Sequence, residues 1–173
     1  MTNTTSDNTY LLLRSGEARK VGQRATGVIR YDILTNSEHT KVFMRITGND
    51  GGGYFSREAI DFDKTFDCVA SYRDDRSLPS KLFASAFMGK SSNNAGFLAA
   101  ILRAEHLLDA APGSDFQHVV SGDWTAWKVD TLKLQGTPLA DLAAPTSPTA
   151  ENPHKTQAKG SKNKKIDAGG TAQ

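Results

Sequence analysis

Residues 27–47 read GVIRYDILTNSEHTKVFMRIT. In 27–35 the side chains alternate, with Ile29, Tyr31 and Ile33 on one side and Val28, Arg30, Asp32 and Leu34 on the other. That is the period-two pattern of a half-buried strand rich in β-branched residues. Residues 41–47 repeat it, with Val42, Met44 and Ile46 opposed to Lys41, Phe43, Arg45 and Thr47. The polar stretch between them, NSEHT, is short enough to join the two as an antiparallel hairpin. One face of the hairpin is apolar throughout and belongs against a core. The other brings Arg30, Phe43 and Arg45 together.

Upstream, TYLLLRS at 9–15 reads as a first strand that runs into the basic stretch GEARKVGQR. Downstream, ITGNDGGGYFSRE at 46–58 places glycines at 48, 51, 52 and 53 directly after a strand, where a phosphate loop would lie. The glycines lack the G-x-G-x-x-G register and no Lys-Ser or Lys-Thr pair closes the loop, so the stretch reads as a turn or hinge. GKSS at 89–92 looks like the end of a Walker loop, but Ala84 stands where the earlier glycine is required and the preceding segment reads as helix. Pro79 followed by SKLFASAFMG predicts a short helix. AGFLAAILRAEHLLD at 95–109, with Phe97, Ile101, Ala104 and Leu108 at three-to-four spacing behind Asn93 and Asn94, predicts a longer one ending before Pro112. FQHVV, the turn SGD and WTAWKVDTLKL then read as two further strands. The fold class is therefore α+β and mainly antiparallel: a five-stranded barrel or sheet with a two-helix insertion.

With 173 residues, 38% apolar and 23% charged, the chain suits one globular domain. We place it at 9–137, between a disordered N-terminus at 1–8 and a lysine-rich tail at 138–173 that lacks apolar periodicity and is expected to be disordered. Of the 21 basic and 19 acidic residues, the segment 141–173 holds five lysines against Asp141, Glu151 and Asp167. Residues 1–140 are left with sixteen of each and are neutral, so only a local basic face is available. The single cysteine, Cys68, excludes an internal disulfide and fits a reducing compartment. No run reaches the roughly 18 apolar residues of a membrane helix, and the polar start is unlike a signal peptide. A cytoplasmic protein without membrane contact is expected.

His39, His106, His118 and His154 lack metal-ligand spacing, and Ser56, Ser71 and Ser121 lack a nucleophile-elbow context. Neither a cofactor nor a catalytic residue is expected. Asp61, Asp63, Asp74 and Asp75 could gather a magnesium ion for a metal-dependent nuclease, with Asp61 and Asp63 as ligands, but a solvated acidic loop is the preferred account of them. The aromatic and basic residues are more informative. Tyr31, Phe43, Tyr54 and Phe55 lie on or beside the hairpin with Arg30, Arg45 and Arg57, and arginine-aromatic faces bind single strands by stacking and phosphate contacts. Tyr31 shares the apolar face and reads as core, while Phe43 is open to either role. The candidate nucleic-acid-binding residues are Arg30, Phe43 and Arg45 on the sheet face and Tyr54, Phe55 and Arg57 on its glycine-hinged rim.

Three strands, a helical excursion and two strands over roughly 9–135 resemble the element order of the OB-fold, a five-stranded barrel common among single-strand-binding proteins. The end DAGGTAQ departs from the acidic, hydrophobic tip typical of the bacterial members. TGVIRYDIL and VFMRITGNDGGGYFS also resemble accessory proteins of integrative conjugative elements. These resemblances imply a non-catalytic single-stranded nucleic-acid-binding protein that serves replication or transfer of a mobile genetic element. The alternative is a protein-interaction or inhibitory module, in which the same patch meets a protein partner. Homo-oligomerisation is compatible with either.

Overall fold

The structure is a computed structural model that describes residues 10–22, 25–72 and 77–139. The expectations for 1–8 and for most of 138–173 lie outside those residues. Strands β1 (Tyr10–Arg19), β2 (Val28–Asn36), β3 (Val42–Asn49), β4 (Ile60–Asp61) and β8 (Thr137–Pro138) form an antiparallel sheet in the order β4-β3-β2-β1-β8. The expected hairpin forms at 27–47, with Asp32 opposite Arg45, Leu34 opposite Phe43 and a register shift between Arg30 and Tyr31. Strands β5 (Leu78–Pro79), β6 (Leu108–Ala111) and β7 (Ser114–Val120) form a second sheet in the order β5-β7-β6.

The alternation read in β3 divides core from solvent, whereas in β2 Asp32, Leu34 and Thr35 are buried as well and only Arg30 is exposed. Ile29, Tyr31, Ile33, Val42, Met44 and Ile46 are buried on the inner face. Against that face pack α1 (Phe62–Ala70), a 3₁₀ turn (Ser80–Ala86) and α2 (Asn94–Ala104), through Phe62, Phe83, Leu98, Ile101 and Leu102. Cys68 is buried on α1 beside Ser85. Helix α3 (Trp124–Leu132) adds Trp124 and stacks Trp127 on Phe62 at 4.8 Å.

A polar cluster locks α2 to the sheet. Arg14 donates through both Nη atoms to the two carboxylate oxygens of Glu105, to which the Tyr31 hydroxyl (2.5 Å) and Trp127 Nε1 (3.0 Å) also donate. Burial alone would raise the Glu105 carboxyl, but the hydrogen bonds from Arg14 and Tyr31 and the arginine charge outweigh it and hold the group below the ordinary carboxylate range. A buried ion is tolerated here because every oxygen is partnered.

Four expectations need correction. Among the described strands the larger sheet stays open, with β4 and β8 at its two edges, so it does not close as an OB barrel. Residues 124–132 form a helix rather than a strand. Asp123 accepts from the Ala126 amide, and Trp124, Trp127 and Thr131 recur at helical spacing, which the alternation of Trp127 with Lys128 concealed. Residues 62–70, read as part of an acidic loop, form α1, whose N-cap is Asp61. Finally, α2 ends at Ala104 rather than near Asp109. His106 turns left-handed (φ 53–57° belongs to His39 and His106 alone among described non-glycine residues) and the Leu107 amide bonds back to Leu102, a Schellman-type stop. Pro112 and Gly113 (φ 77°) then form the β6–β7 turn.

Candidate functional site

The outer face of the large sheet carries Arg30, Phe43 and Arg45 as the alternation requires, but each is already engaged. Arg45 pairs with the buried Asp32 at 2.6 Å, and Ser15 Oγ donates to the same carboxylate at 2.7 Å. Arg30 pairs with Asp50 and approaches Glu17 at 3.6 Å. Phe43 is half-buried and meets Tyr10 edge-on at 5.0 Å. Cross-strand partners of opposite charge thus neutralise the arginines, and the one ring of the trio has its edge contact within the sheet. Arg45 Nε is buried with no acceptor among the described residues.

The rim behaves differently. The glycine stretch is a turn: Gly52 and Gly53 have φ of 67° and 88°, and Asn49 accepts from the Gly51 amide and donates to the Gly52 carbonyl. Beyond it, residues 54–58 are fastened to the segment that opens α2. Ser91 Oγ (2.6 Å) and Asn93 Nδ2 (3.0 Å) donate to the Tyr54 carbonyl, and the Ser56 amide donates to Asn94 Oδ1 (2.9 Å). The Glu58 carboxylate accepts from the Met88 and Gly89 amides at 2.9 Å each. Burial opposes its charge, yet these bonds and one from Ser56 hold its ionisation below the ordinary range. Gly89 and Ser91 of the GKSS stretch are therefore occupied in fastening the rim.

This fastening places Tyr54, 79% exposed, at the tip and Phe55 beneath it. Arg57 lies over the Phe55 ring at 5.6 Å, Phe55 meets Phe97 of α2 at 6.3 Å, and Lys20 lies over the Phe97 ring at 5.8 Å. The result is a ladder of cation, ring, ring and cation across three segments of the chain. On the Lys20 side of Phe97 it opens into a cavity of about 380 Å³, lined among others by Lys81, Ser80, Ser92 and Phe116. Among the described residues no acidic side chain lines it, and neither Lys20 nor Lys81 has a carboxylate within ion-pair distance.

Of the six residues singled out in the sequence, the structure brings Tyr54, Phe55 and Arg57 together at the rim and leaves Arg30, Phe43 and Arg45 on a separate, charge-balanced face. Sequence reasoning missed Lys20, Lys81, Phe97 and Phe116. The three-to-four spacing puts Phe97 on the core stripe of α2, whose buried positions are in fact Asn94, Ala95, Leu98, Ala99, Ala100, Ile101 and Leu102. A ring just outside that stripe, in the first turn, was the available signal.

The catalytic alternatives find other employment. Asp61 caps α1 and approaches Lys41 at 3.7 Å, Asp63 pairs with Lys128 at 2.6 Å, and the described residues hold no group of three metal-ligating side chains. Asp74 and Asp75 lie outside the described residues. Ser80 Oγ sits 2.7 Å from His118 Nε2, a distance suited to a nucleophile and its base. However, Arg103 Nε donates to His118 Nδ1 at 2.9 Å, so the neutral ring carries its proton on Nε2 and donates to Ser80. Burial first, and the Arg103 charge second, push the His118 ionisation down to about 4. The imidazole is a neutral strut.

No described helix is long and apolar enough to cross a membrane. Compared with protein-family models, with curated proteins and with solved structures, the chain matches none.

Proposed function

We propose that the protein is a non-catalytic single-stranded nucleic-acid-binding protein, and that the strand runs along the rim ladder rather than across the open face of the sheet. The observation that carries this reading is the Arg57-Phe55-Phe97-Lys20 succession. Aromatic faces stack on unpaired bases regardless of sequence, and cations spaced between them meet the phosphates that separate those bases. Tyr54 extends the row into solvent. The neutral charge of the body is no obstacle, since among the described residues the cations at the rim have no carboxylate partner while those of the sheet face do. Such a protein would serve the handling of single strands during replication or transfer of a mobile element. The rim requires no closed OB barrel, only a loop fastened to a helix.

Titration of the full chain with labelled single-stranded and duplex oligonucleotides at two salt concentrations tests the proposal. Single strands should bind more tightly than duplexes of equal length, and more weakly at the higher salt. Equal affinity for both would overturn the stacking mode. No binding to either would favour a protein-interaction module, for which Phe66 and Val129, 41% and 50% exposed on α1 and α3, supply apolar surface.

A further inference from the structure

From the cavity beside the ladder we infer a second element of recognition: a subsite for one nucleotide unit, an aromatic base bearing a phosphate. The inference rests on the strand-binding reading for its biological ligand but not for its chemistry. Three observations carry it. The cavity, about 380 Å³, falls at the low end of the roughly 300–1,000 Å³ typical of small-ligand sites, enough for one ring with one charged group. Its walls offer two rings: Phe97, in the first part of α2, and Phe116, 63% exposed on β7. Among the described residues its charged side chains are Lys20 and Lys81, both cationic, while the rest of the lining is neutral.

Lysine recognises phosphate as a compact point charge, and an unpaired lysine needs no competing carboxylate displaced before it can do so. A carboxylate metabolite without a ring would leave Phe97 and Phe116 unused, and a neutral aromatic would leave both cations unused. Phe97 and Lys20 belong to the ladder and the cavity at once. A strand stacked on Phe55 can therefore turn one base into the cavity without leaving the ladder. A free nucleotide presents the same ring and the same phosphate, so the two sources share one chemistry.

Nuclear magnetic resonance or calorimetric titration of the full chain with uridine and adenosine 5′-monophosphates, the two nucleosides and inorganic phosphate tests the inference. The monophosphates should bind, and each should do so at least about tenfold more tightly than its nucleoside or phosphate alone, the order expected when one charge-assisted contact adds to stacking. Lys81→Ala should weaken the monophosphates by a similar factor; Lys81 is exposed, so this variant is expected to fold. Arg30→Ala, on the separate sheet face, should leave monophosphate affinity unchanged.

Oligonucleotide binding without any monophosphate binding, or with a Lys81→Ala protein indistinguishable from the parent, would overturn the subsite and leave the ladder standing. Monophosphate binding without oligonucleotide binding would support the subsite and overturn the strand reading. Inorganic phosphate binding as tightly as the monophosphates would overturn the role of the two rings.

Discussion

The sheet face around Arg30, Phe43 and Arg45 and the rim around Arg57, Phe55, Phe97 and Lys20 are built from the same residue types and differ in what surrounds the charges. On the sheet, the extended backbone aligns Asp32 opposite Arg45 and carries Glu17 beside Arg30, so each guanidinium meets a carboxylate. At the rim the neighbours of the cations are rings, because a loop and the first turn of a helix meet there without cross-strand registration. A list of arginines and aromatics does not define a binding surface. The partner of each charge does.

The sharpest way to break the comparison is to remove one ring from each region. Phe55→Ala should weaken single-strand binding by about 1–3 kcal/mol, or roughly fivefold to over a hundredfold, with little effect on duplex binding. Phe43→Ala should leave binding unchanged and instead lower the melting temperature, since its half-buried ring packs on Tyr10. Oligonucleotide titration and thermal melts of both variants check this. The opposite pattern would return the site to the sheet.

A single charge gives a smaller effect. Lys81→Ala should flatten the dependence of log affinity on log salt by roughly one unit, as expected for one lost phosphate contact, whereas Arg30→Ala should leave the slope alone. Slopes measured between two salt concentrations decide it.

Acid probes the buried polar groups beneath both regions. The folded state holds His118 neutral down to about pH 4, while an unfolded histidine takes up its proton near pH 6.5. The unfolded state therefore binds more protons in that window. Stability is unaffected by this group above about pH 6.5 and falls as pH drops from there towards 4. Glu105, whose ionisation is depressed, works at lower pH: the stability it adds is present above the ordinary glutamate range and is lost as pH falls below it. Melting curves from pH 7.5 to 5 thus isolate His118. His118→Gln can accept from Arg103 and donate to Ser80 without titrating, and should show a shallower decline.

The hairpin was legible because burial on one side imprints a period of two on β3 and on the first half of β2, and the same period placed Tyr31 in the core, although Asp32, Leu34 and Thr35 are buried too. Helix α3 was not, because Trp127 and Val129 against Lys128 and Asp130 satisfy a strand over a few residues, and the tie is broken only by the Asp123 cap and the helical spacing of Trp124, Trp127 and Thr131. The sequence placed Tyr54, Phe55 and Arg57 side by side because they are neighbours in the chain. It could not join them to Lys20 and Phe97, which lie 34 or more positions away in the chain; hydrogen bonds of Ser91, Asn93 and Asn94 fasten the rim to the helix that carries Phe97. Nor did alternation reveal that Arg45 faces Asp32 rather than solvent, since that follows from register across two strands.

The smallest expected effect is the most direct trial of whether pairing keeps the sheet face silent. Asp50 and Glu17 are the carboxylates beside Arg30, and all three side chains are well exposed. Exposed ion pairs contribute about 0–1 kcal/mol, so a protein carrying Asp50→Asn and Glu17→Gln should melt within a few degrees of the parent. The asparagine keeps an oxygen that can accept from the Val28 amide, as Asp50 does at 3.4 Å. Stability unchanged, Arg30 would now present an uncompensated charge on a face that also holds Phe43. If pairing is the cause of silence, single-strand affinity should rise modestly at low salt, and the gain should vanish near physiological ionic strength, where a Debye length of about 8 Å screens an exposed charge. Adding Phe55→Ala to this background should remove the ladder's share of the affinity and leave the small, salt-sensitive gain in place. A double variant that binds with the parent's affinity at every salt concentration would show that the geometry of the sheet face, and not the pairing of its charges, excludes a strand.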